Sequence, residues 1–245
     1  MIKLERTDVM NMDNALRGMR NPMKSWDKAD SEYCALEDDL FNCDVCWYQN
    51  NCPAVSTDYV FHIGPNDMKL ATGLIRGGSD ERKFLRQIFV SVDITAPLYW
   101  WKEYDTYKVG TVANSESTMH KIHEKVFVPD DFSREKLKPS AMRVLEMTIK
   151  ELNIWRDIYN NGGLVDENCD GHCVFYKPKS KEAWEQMIQL LPTSFNQMRT
   201  CTLNYEVLLN QYFARRNHKL TEWREFCAWA EELPYFKQFK EVLEK

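Results

Sequence analysis

The chain has 245 residues, of which 44% are apolar and 28% charged, with nine glycines and nine prolines. This composition supports a packed core and excludes a collagen-like, low-complexity or wholly disordered chain. No run approaches the roughly 20 consecutive apolar residues of a membrane helix. The first six residues carry charges where a signal peptide would be apolar. We therefore expect a cytoplasmic protein with no membrane partner.

The charge balance disfavours binding to long nucleic acids. Lys and Arg number 32 against 37 Asp and Glu, which gives a net charge of −5, whereas proteins that grip the phosphate backbone are usually basic. Short positive clusters do occur at 82–86, 177–181 and 215–219. Each is large enough to hold a nucleotide or another small anion.

In the first half of the chain, one segment predicts a strand and several predict helices or loops. Alternating apolar residues from Ile88 to Ile94 indicate a half-buried strand over 87–95. Pro65 predicts the start of a helix, and Gly77-Gly78 predicts its end. The other expected elements are a short helix at 13–19, an irregular cysteine-bearing insert at about 32–60, an aromatic helical segment at 98–105 and a polar loop at 108–120.

The second half reads as helical. Pro139 begins the longest predicted helix, and the glycines at 162–163 end it. Ser180 is expected to cap a further helix that ends before Pro192. Two more helices are predicted at 202–216 and 221–233. The class is therefore α+β, and we expect a single domain over 1–245.

The eight cysteines allow two interpretations. Cys43, Cys46 and Cys52, with Cys34 upstream, have spacings compatible with zinc or an iron–sulfur cluster, and 169–173 could supply further ligands. The alternative is a set of reduced thiols in a reducing compartment, some buried as small apolar groups. We favour reduced thiols and predict no metal site. A metal-bearing accessory protein is the function that the first interpretation would imply.

Two regions together resemble the flavin-dependent thymidylate synthase family. In the first, the turn Gly77-Gly78-Ser79 precedes the predicted strand, Pro97, an aromatic segment and the loop Asn114-Ser115-Glu116-Ser117. In the second, the pair Leu191-Pro192 precedes threonines, an asparagine and helices that carry arginine. The resemblance runs through most of the chain in the family's order and leaves out the cysteine insert.

The resemblance implies a helix-rich fold with a small, mostly antiparallel sheet. It also implies an FAD-dependent methyltransferase that binds dUMP, methylenetetrahydrofolate and NADPH and makes dTMP, or carries out a related C5 modification. In the family, reduced flavin supplies the hydride, and the active sites lie between the subunits of a homotetramer. The protein contributes mainly orientation and charge complementarity.

The resemblance also assigns residues. Ser117 is the expected catalytic residue, which donates to the nucleotide, and Asn114 braces its loop. The expected substrate-binding residues are Asn114, Ser117, Arg215 and Arg224. The expected cofactor-binding residues are Ser79, Lys108, Asn114 and Glu116.

Several positions depart from the family pattern. Counting back from Ser117 places the family's arginine-histidine-arginine triplet on Tyr107-Lys108-Val109, which keeps one positive charge. A helix arginine of the family falls on Glu206, whose charge would repel a phosphate. These changes favour an alternative function, a nucleotide-binding or structural oligomer that has lost flavin and catalysis. Ser117 has an alternative role too, as the cap of a helix running through Met119.

Overall fold

A computed structural model of the chain describes residues 2–35, 59–107, 109–166, 171 and 173–244. The strands within these ranges are β1 (Lys3–Met10), β2 (Glu32–Ala35), β3 (Tyr59–His62), β4 (Phe89–Pro97), β5 (Thr111–Ser115), β6 (Gly163–Asp166), β7 (Cys173–Tyr176) and β8 (Asn196–Asn204). The α-helices are α1 (Met12–Met19), α2 (Pro65–Arg76), α3 (Leu98–Tyr104), α4 (Thr118–Lys121), α5 (Pro139–Asn161), α6 (Lys181–Leu190), α7 (Tyr205–Arg215), α8 (Thr221–Glu231) and α9 (Phe236–Glu244). The predicted class, helix-rich α+β with small antiparallel sheets, is confirmed.

The chain forms two compact units. The first unit consists of Met1–Lys3, Ile94–Thr106 and Asn114–Thr200, and the second of Leu4–Asp93, Tyr107–Ala113 and Cys201–Lys245. The expectation of a single domain over 1–245 stays a prediction.

Among the described residues, the largest sheet has four strands in the order β1-β4-β8-β5, and β2 pairs with β3 and β6 with β7 as two further antiparallel sheets. In β4, Val90, Val92 and Ile94 are fully buried, which confirms the alternation expected for 87–95. Because β4 is an inner strand with one apolar face, its pattern is visible in the sequence.

The longest helix, α5, organises the core of the first unit. Pro139 occupies its first turn, and its apolar stripe includes Leu145, Ile149 and Leu152, as predicted. This stripe packs against Ala183 and Met187 of α6, which begins at the predicted cap: the Ser180 hydroxyl accepts a hydrogen bond from the Ala183 amide at 3.1 Å.

The second unit is built from α1, α2 and α7–α9 around large aromatic side chains, including Trp223, Phe226 and Phe236. A buried ion pair links α1 to α2: Arg20 Nε donates to Asp67 Oδ1 at 2.6 Å. The other Asp67 oxygen accepts hydrogen bonds from the Ser31 amide and hydroxyl at 3.0 and 2.6 Å. This carboxylate therefore fixes the start of α2 against the segment that precedes β2.

Some expectations were wrong, and each error has a physical reason. The polar loop expected at 108–120 contains β5 and α4, and the first part of the helix expected at 202–216 belongs to β8. Nothing in the sequence predicted β1, which, like β5, is an edge strand of the sheet with mostly exposed side chains. Edge strands of this kind are held mainly by backbone hydrogen bonds. Because few of their side chains are buried, their sequences lack the alternation of apolar and polar residues that predicts a strand.

The expected cysteine insert is described only at its ends. Residues 32–35 and 59–62 pair as β2 and β3, with Cys34 opposite Val60. Cys43, Cys46 and Cys52 lie outside the described residues, as do 167–170 and 172. Within the described ranges, no group of three or more His, Cys, Asp or Glu side chains could hold a metal.

None of the helices described is long and apolar enough to cross a bilayer.

The buried Asp67 carboxylate predicts an acid-dependent loss of stability. Burial raises its pKa, but the hydrogen bonds from Ser31 and Arg20 outweigh burial, so its net pKa lies below the usual value. A lowered folded-state pKa contributes stability that is complete above about pH 4, the ordinary carboxyl value, and is lost as pH falls through the folded-state pKa.

We expect Asp67→Asn to lower the free energy of unfolding at pH 7 by about 3–5 kcal/mol, because it leaves Arg20 buried without its anion. The variant should also lose this part of the acid dependence. Urea denaturation between pH 2 and 7 measures both effects, with the exposed Asp80→Asn as control. Equal stabilities of the two variants would contradict this role of Asp67.

Candidate functional site

The loop after β5 borders a cavity of about 330 Å³ in the first unit. Its polar wall includes Ser117, Thr118 and Asn196, and its apolar wall includes Phe127 and Phe195. A concave site with a few polar groups on an apolar wall is the usual form of a small-ligand pocket. This cavity is the candidate functional site.

Ser117 is the N-cap of α4. Its hydroxyl oxygen accepts a hydrogen bond from the His120 backbone amide at 3.2 Å, which is the capping role that the sequence offered as an alternative. The side chain is half-buried and also lines the cavity. Capping uses the oxygen as an acceptor, and the hydroxyl hydrogen can still be donated to a ligand. The two roles of Ser117 are therefore compatible.

The Ser117 loop is held by Gln197 of β8. The side-chain amide nitrogen of Gln197 donates to the Glu116 carbonyl at 3.0 Å and to the Thr118 hydroxyl at 2.8 Å. The Glu116 amide donates to the Met198 carbonyl at 2.9 Å, which extends the backbone pairing to this point. Gln197 is buried, so these bonds are shielded from water.

Gln197 is in turn oriented by Arg199. The Arg199 guanidinium donates to Gln197 Oε1 at 3.0 Å and to Asp105 at 2.8 Å, and its carbon lies 4.2 Å from the centre of a Trp101 ring. The Trp101 indole N–H donates to the Gln197 carbonyl at 2.9 Å. The Arg199 guanidinium is thus paired with Asp105, stacked on the Trp101 ring and hydrogen-bonded to the side-chain amide of Gln197, which holds the loop.

The charges at the cavity are of both signs. Lys121 pairs with Glu124, and its hydrogen bond is the main cause that lowers the pKa of the Glu124 carboxyl. Asp130 pairs with Arg134, and Asp131 accepts a hydrogen bond from the Val128 amide at 2.8 Å. Because Glu124 and Asp130 are paired with cations, they repel an anionic ligand less than their residue types suggest, whereas Glu116 and Asp131 add two further carboxylates to the lining.

In the second unit, Arg215 contacts Tyr107, the residue on which the sequence resemblance places the start of the family's triplet. Its Nε donates to the Tyr107 hydroxyl at 2.9 Å, and its guanidinium carbon lies 5.0 Å from the centre of a Trp223 ring. Tyr107 is the first residue of Tyr107-Lys108-Val109. A guanidinium supplied by α7 therefore lies next to the residue to which the sequence resemblance gives an arginine.

The loop that carries Tyr107 packs closely on the start of α7. Gly110 has a φ of +77°, and a Cβ there would lie 2.9 Å from the Asn204 side-chain nitrogen. Asn204 caps α7, because its side-chain oxygen accepts from the Val207 amide at 3.0 Å. Only glycine fits this approach without displacement.

Glu206 is neutralised by an arginine within the same unit. Arg82 Nε donates to Glu206 Oε2 at 2.8 Å and Arg82 Nη2 donates to Oε1 at 3.0 Å, and the carboxylate is largely buried. The repulsion of phosphate expected at Glu206 is thereby removed, since the charge is matched by a bidentate guanidinium.

The remaining predicted residues stand as follows. Arg224 is exposed and donates to the His218 carbonyl at 2.7 Å and the Thr221 hydroxyl at 3.0 Å, so it braces the turn before α8. Asn114 and Ser79 are exposed, and the Ser79 carbonyl accepts from Arg86. Lys108 lies outside the described residues. Their roles in substrate and cofactor binding stay predictions.

The fold is similar to that of solved flavin-dependent thymidylate synthases. ThyX from Helicobacter pylori, solved with FAD and dUMP, gives a TM-score of 0.59 at 14% identity over 100% of both chains. A second ThyX structure from the same organism, also complexed with FAD and dUMP, gives 0.59 at 13% identity over 98% of each chain. A UMP/dUMP methylase, PolB from Streptomyces cacaoi, bound with 5-Br dUMP, gives 0.55 at 16% identity over 100% of this chain and 95% of that one.

The sequence matches no protein-family model and no curated protein. The likeness to the solved structures therefore shows the fold, and it confirms the fold that the sequence resemblance implied.

Sequence reasoning missed Gln197, Arg199 and Asp105. Gln197 is separated by 81 residues in the chain from its partner Glu116, and Arg199 by 94 residues from its partner Asp105. The one available signal was a Gln and an Arg at alternate positions of a segment that reads as polar, which gains meaning only once that segment is known to be a strand.

We expect Arg199→Met to lower the free energy of unfolding by about 1–3 kcal/mol, since it removes one charged hydrogen-bond network and a ring contact but keeps the apolar stem. Hydrogen exchange of the His120 amide should also become faster, because the Ser117 loop loses its support. The exposed Arg143→Met on α5 is the matched control. Unchanged His120 exchange in Arg199→Met would show that Arg199 does not hold the loop.

Proposed function

We propose that this chain is a flavin-dependent enzyme that transfers a one-carbon group to C5 of a pyrimidine nucleotide, converting dUMP to dTMP or making a related C5 modification. The observation that carries the proposal is the half-buried Ser117 at a cavity, on a fold whose solved examples include structures with FAD and dUMP. The homotetramer, NADPH and methylenetetrahydrofolate implied by the resemblance stay predictions.

The Ser117 cavity of the first unit is assigned to the nucleotide. The Ser117 hydroxyl donates to an oxygen of the nucleotide, and the apolar wall of Phe127 and Phe195 faces its ring. Gln197 and Arg199 are positioning residues, because they touch the loop and not the cavity. A ligand oriented by a few fixed donors on a rigid support gains reaction rate from proximity.

The Arg215 cluster of the second unit is assigned to an anionic part of the cofactor or substrate. Its donor set fits such a group, since a guanidinium between two aromatic rings can bind phosphate and stack on a flat ring. FAD, when bound, supplies the hydride. The residues of this chain then orient the nucleotide and exclude water.

The cysteines described also favour a flavin route over a thiolate nucleophile. Burial raises the pKa of Cys227 to about 12, so this thiol stays protonated at neutral pH. Cys201 is fully buried and Cys173 is exposed, and none of these three free cysteines lines the Ser117 cavity.

A second candidate function is a nucleotide-binding protein without flavin. The loss of two charges from the triplet at Tyr107-Lys108-Val109 favours it. The absorption spectrum of the purified chain after addition of FAD separates the two. Retained flavin with reduction by NADPH supports the enzyme, whereas dUMP binding without flavin supports the second function.

Ser117→Ala tests the nucleotide site. We expect it to weaken dUMP binding roughly tenfold, which corresponds to one hydrogen bond to a polar or charged group. Isothermal calorimetry measures the affinity, and thermal melting confirms folding. Ser180→Ala is the matched control, because it removes an N-cap serine from α6 without touching the cavity. An unchanged affinity in Ser117→Ala would contradict the assignment.

Arg215→Met tests the anion site. The variant keeps the stem that packs on Trp223 but loses the guanidinium, so FAD retention should fall about tenfold. Flavin fluorescence after gel filtration measures the bound fraction. The neighbouring Arg216→Met, which loses its pair with Glu244, serves as control. Equal flavin retention in the two variants would exclude Arg215 from the site.

A further inference from the structure

A second cavity, of about 260 Å³, lies in the first unit and is distinct from the Ser117 cavity. We call it the Lys179 pocket. It shares α4 with the first cavity: Thr118 and Lys121 line the Ser117 cavity, whereas Met119 and His120 line this one. Its other lining residues are Tyr159, Lys179, Lys181 and Trp184.

The charge of the Lys179 pocket is positive. Lys179, Lys181 and His120 contribute basic side chains, and none of the described residues that line it is acidic. Glu185 lies next to it and pairs with Lys181 at 3.1 Å, so Lys181 is partly compensated. Lys179 is the principal uncompensated charge among the lining residues described, and an anion is the ligand that suits it.

The backbone at Lys179 is held in an unusual conformation. Its φ is +58°, in the left-handed region that glycine and asparagine adopt at lower cost. The Lys179 amide donates to the Tyr159 carbonyl at 2.6 Å, which fixes the residue to the end of α5. A strained position that nevertheless carries a long basic side chain points to a role for that side chain.

Two aromatic rings complete the pocket. The Trp184 indole N–H donates to the Met119 carbonyl at 2.9 Å, which ties α6 to α4 and orients the ring. Tyr159 contacts the His123 ring at 4.8 Å between centroids. Fixed rings beside a lysine offer a surface for a flat group and a charge for its substituent.

We propose that the Lys179 pocket binds a phosphate monoester of a planar aromatic group, with the phosphate on Lys179 and the ring against Trp184 or Tyr159. The cavity is smaller than most sites for drug-sized ligands, which start at about 300 Å³, so the ligand is compact. The site does not depend on the function proposed for the Ser117 cavity.

Phenyl phosphate is the probe, because it is a minimal molecule that joins a ring to a phosphate. Calorimetry on the full chain should show binding that is about tenfold tighter than that of inorganic phosphate, since stacking adds to the charge contact. Lys179→Asn should weaken phenyl phosphate binding about tenfold, and asparagine tolerates the left-handed backbone. Thermal melting should show that this variant remains folded.

Two controls locate the binding. Lys177→Gln removes an exposed lysine of the same cluster that does not line the pocket, and it should leave the affinity unchanged. Lys125→Gln should also leave it unchanged, since this exposed lysine lines the Ser117 cavity and not the Lys179 pocket. No binding at millimolar probe, an equal loss in Lys177→Gln, or a loss confined to Lys125→Gln would each overturn the proposal.

Discussion

The buried side-chain amide of Gln197 holds the candidate site together. A helix of four residues such as α4 has almost no stability of its own, because the free-energy cost of nucleating a helix exceeds the stabilisation from the hydrogen bonds of a single turn. Its position is set from outside, by the two hydrogen bonds that Gln197 gives to the loop and by the Trp184 bond to Met119. Since α4 contributes to both cavities of the first unit, the geometry of each depends on this support.

The chain is similar in fold to a solved structure at 14% identity, while several of its residues differ from the charged residues that the sequence resemblance implies. Apolar cores tolerate wide substitution if volume and patterning persist, and the buried stripes of β4 and α5 show that patterning. Charged positions follow stricter local rules. Tyr107 stands where the resemblance places an arginine, yet Arg215 brings a guanidinium to its hydroxyl at 2.9 Å.

The sequence was informative where burial imposes a period, and uninformative where contacts are long-range. The stripe of α5, the cap at Ser180 and the alternation of β4 were all predictable, because each is local and strongly patterned. The edge strands β1 and β5 were not, since their side chains are mostly exposed. The loop of Ser117 was identified through resemblance, but the residues that hold it are joined only by the folded sheet, so no spacing along the chain could reveal them.

The Arg82–Glu206 pair constrains how this sequence can change. Replacing Glu206 by the arginine of the family pattern would set two guanidiniums against each other in a largely buried place, which carries a high desolvation and repulsion cost. Replacing Arg82 first would instead leave a buried carboxylate without a partner. Either order passes through a less stable intermediate. A substitution at either position is therefore tolerated only together with a compensating substitution at the other.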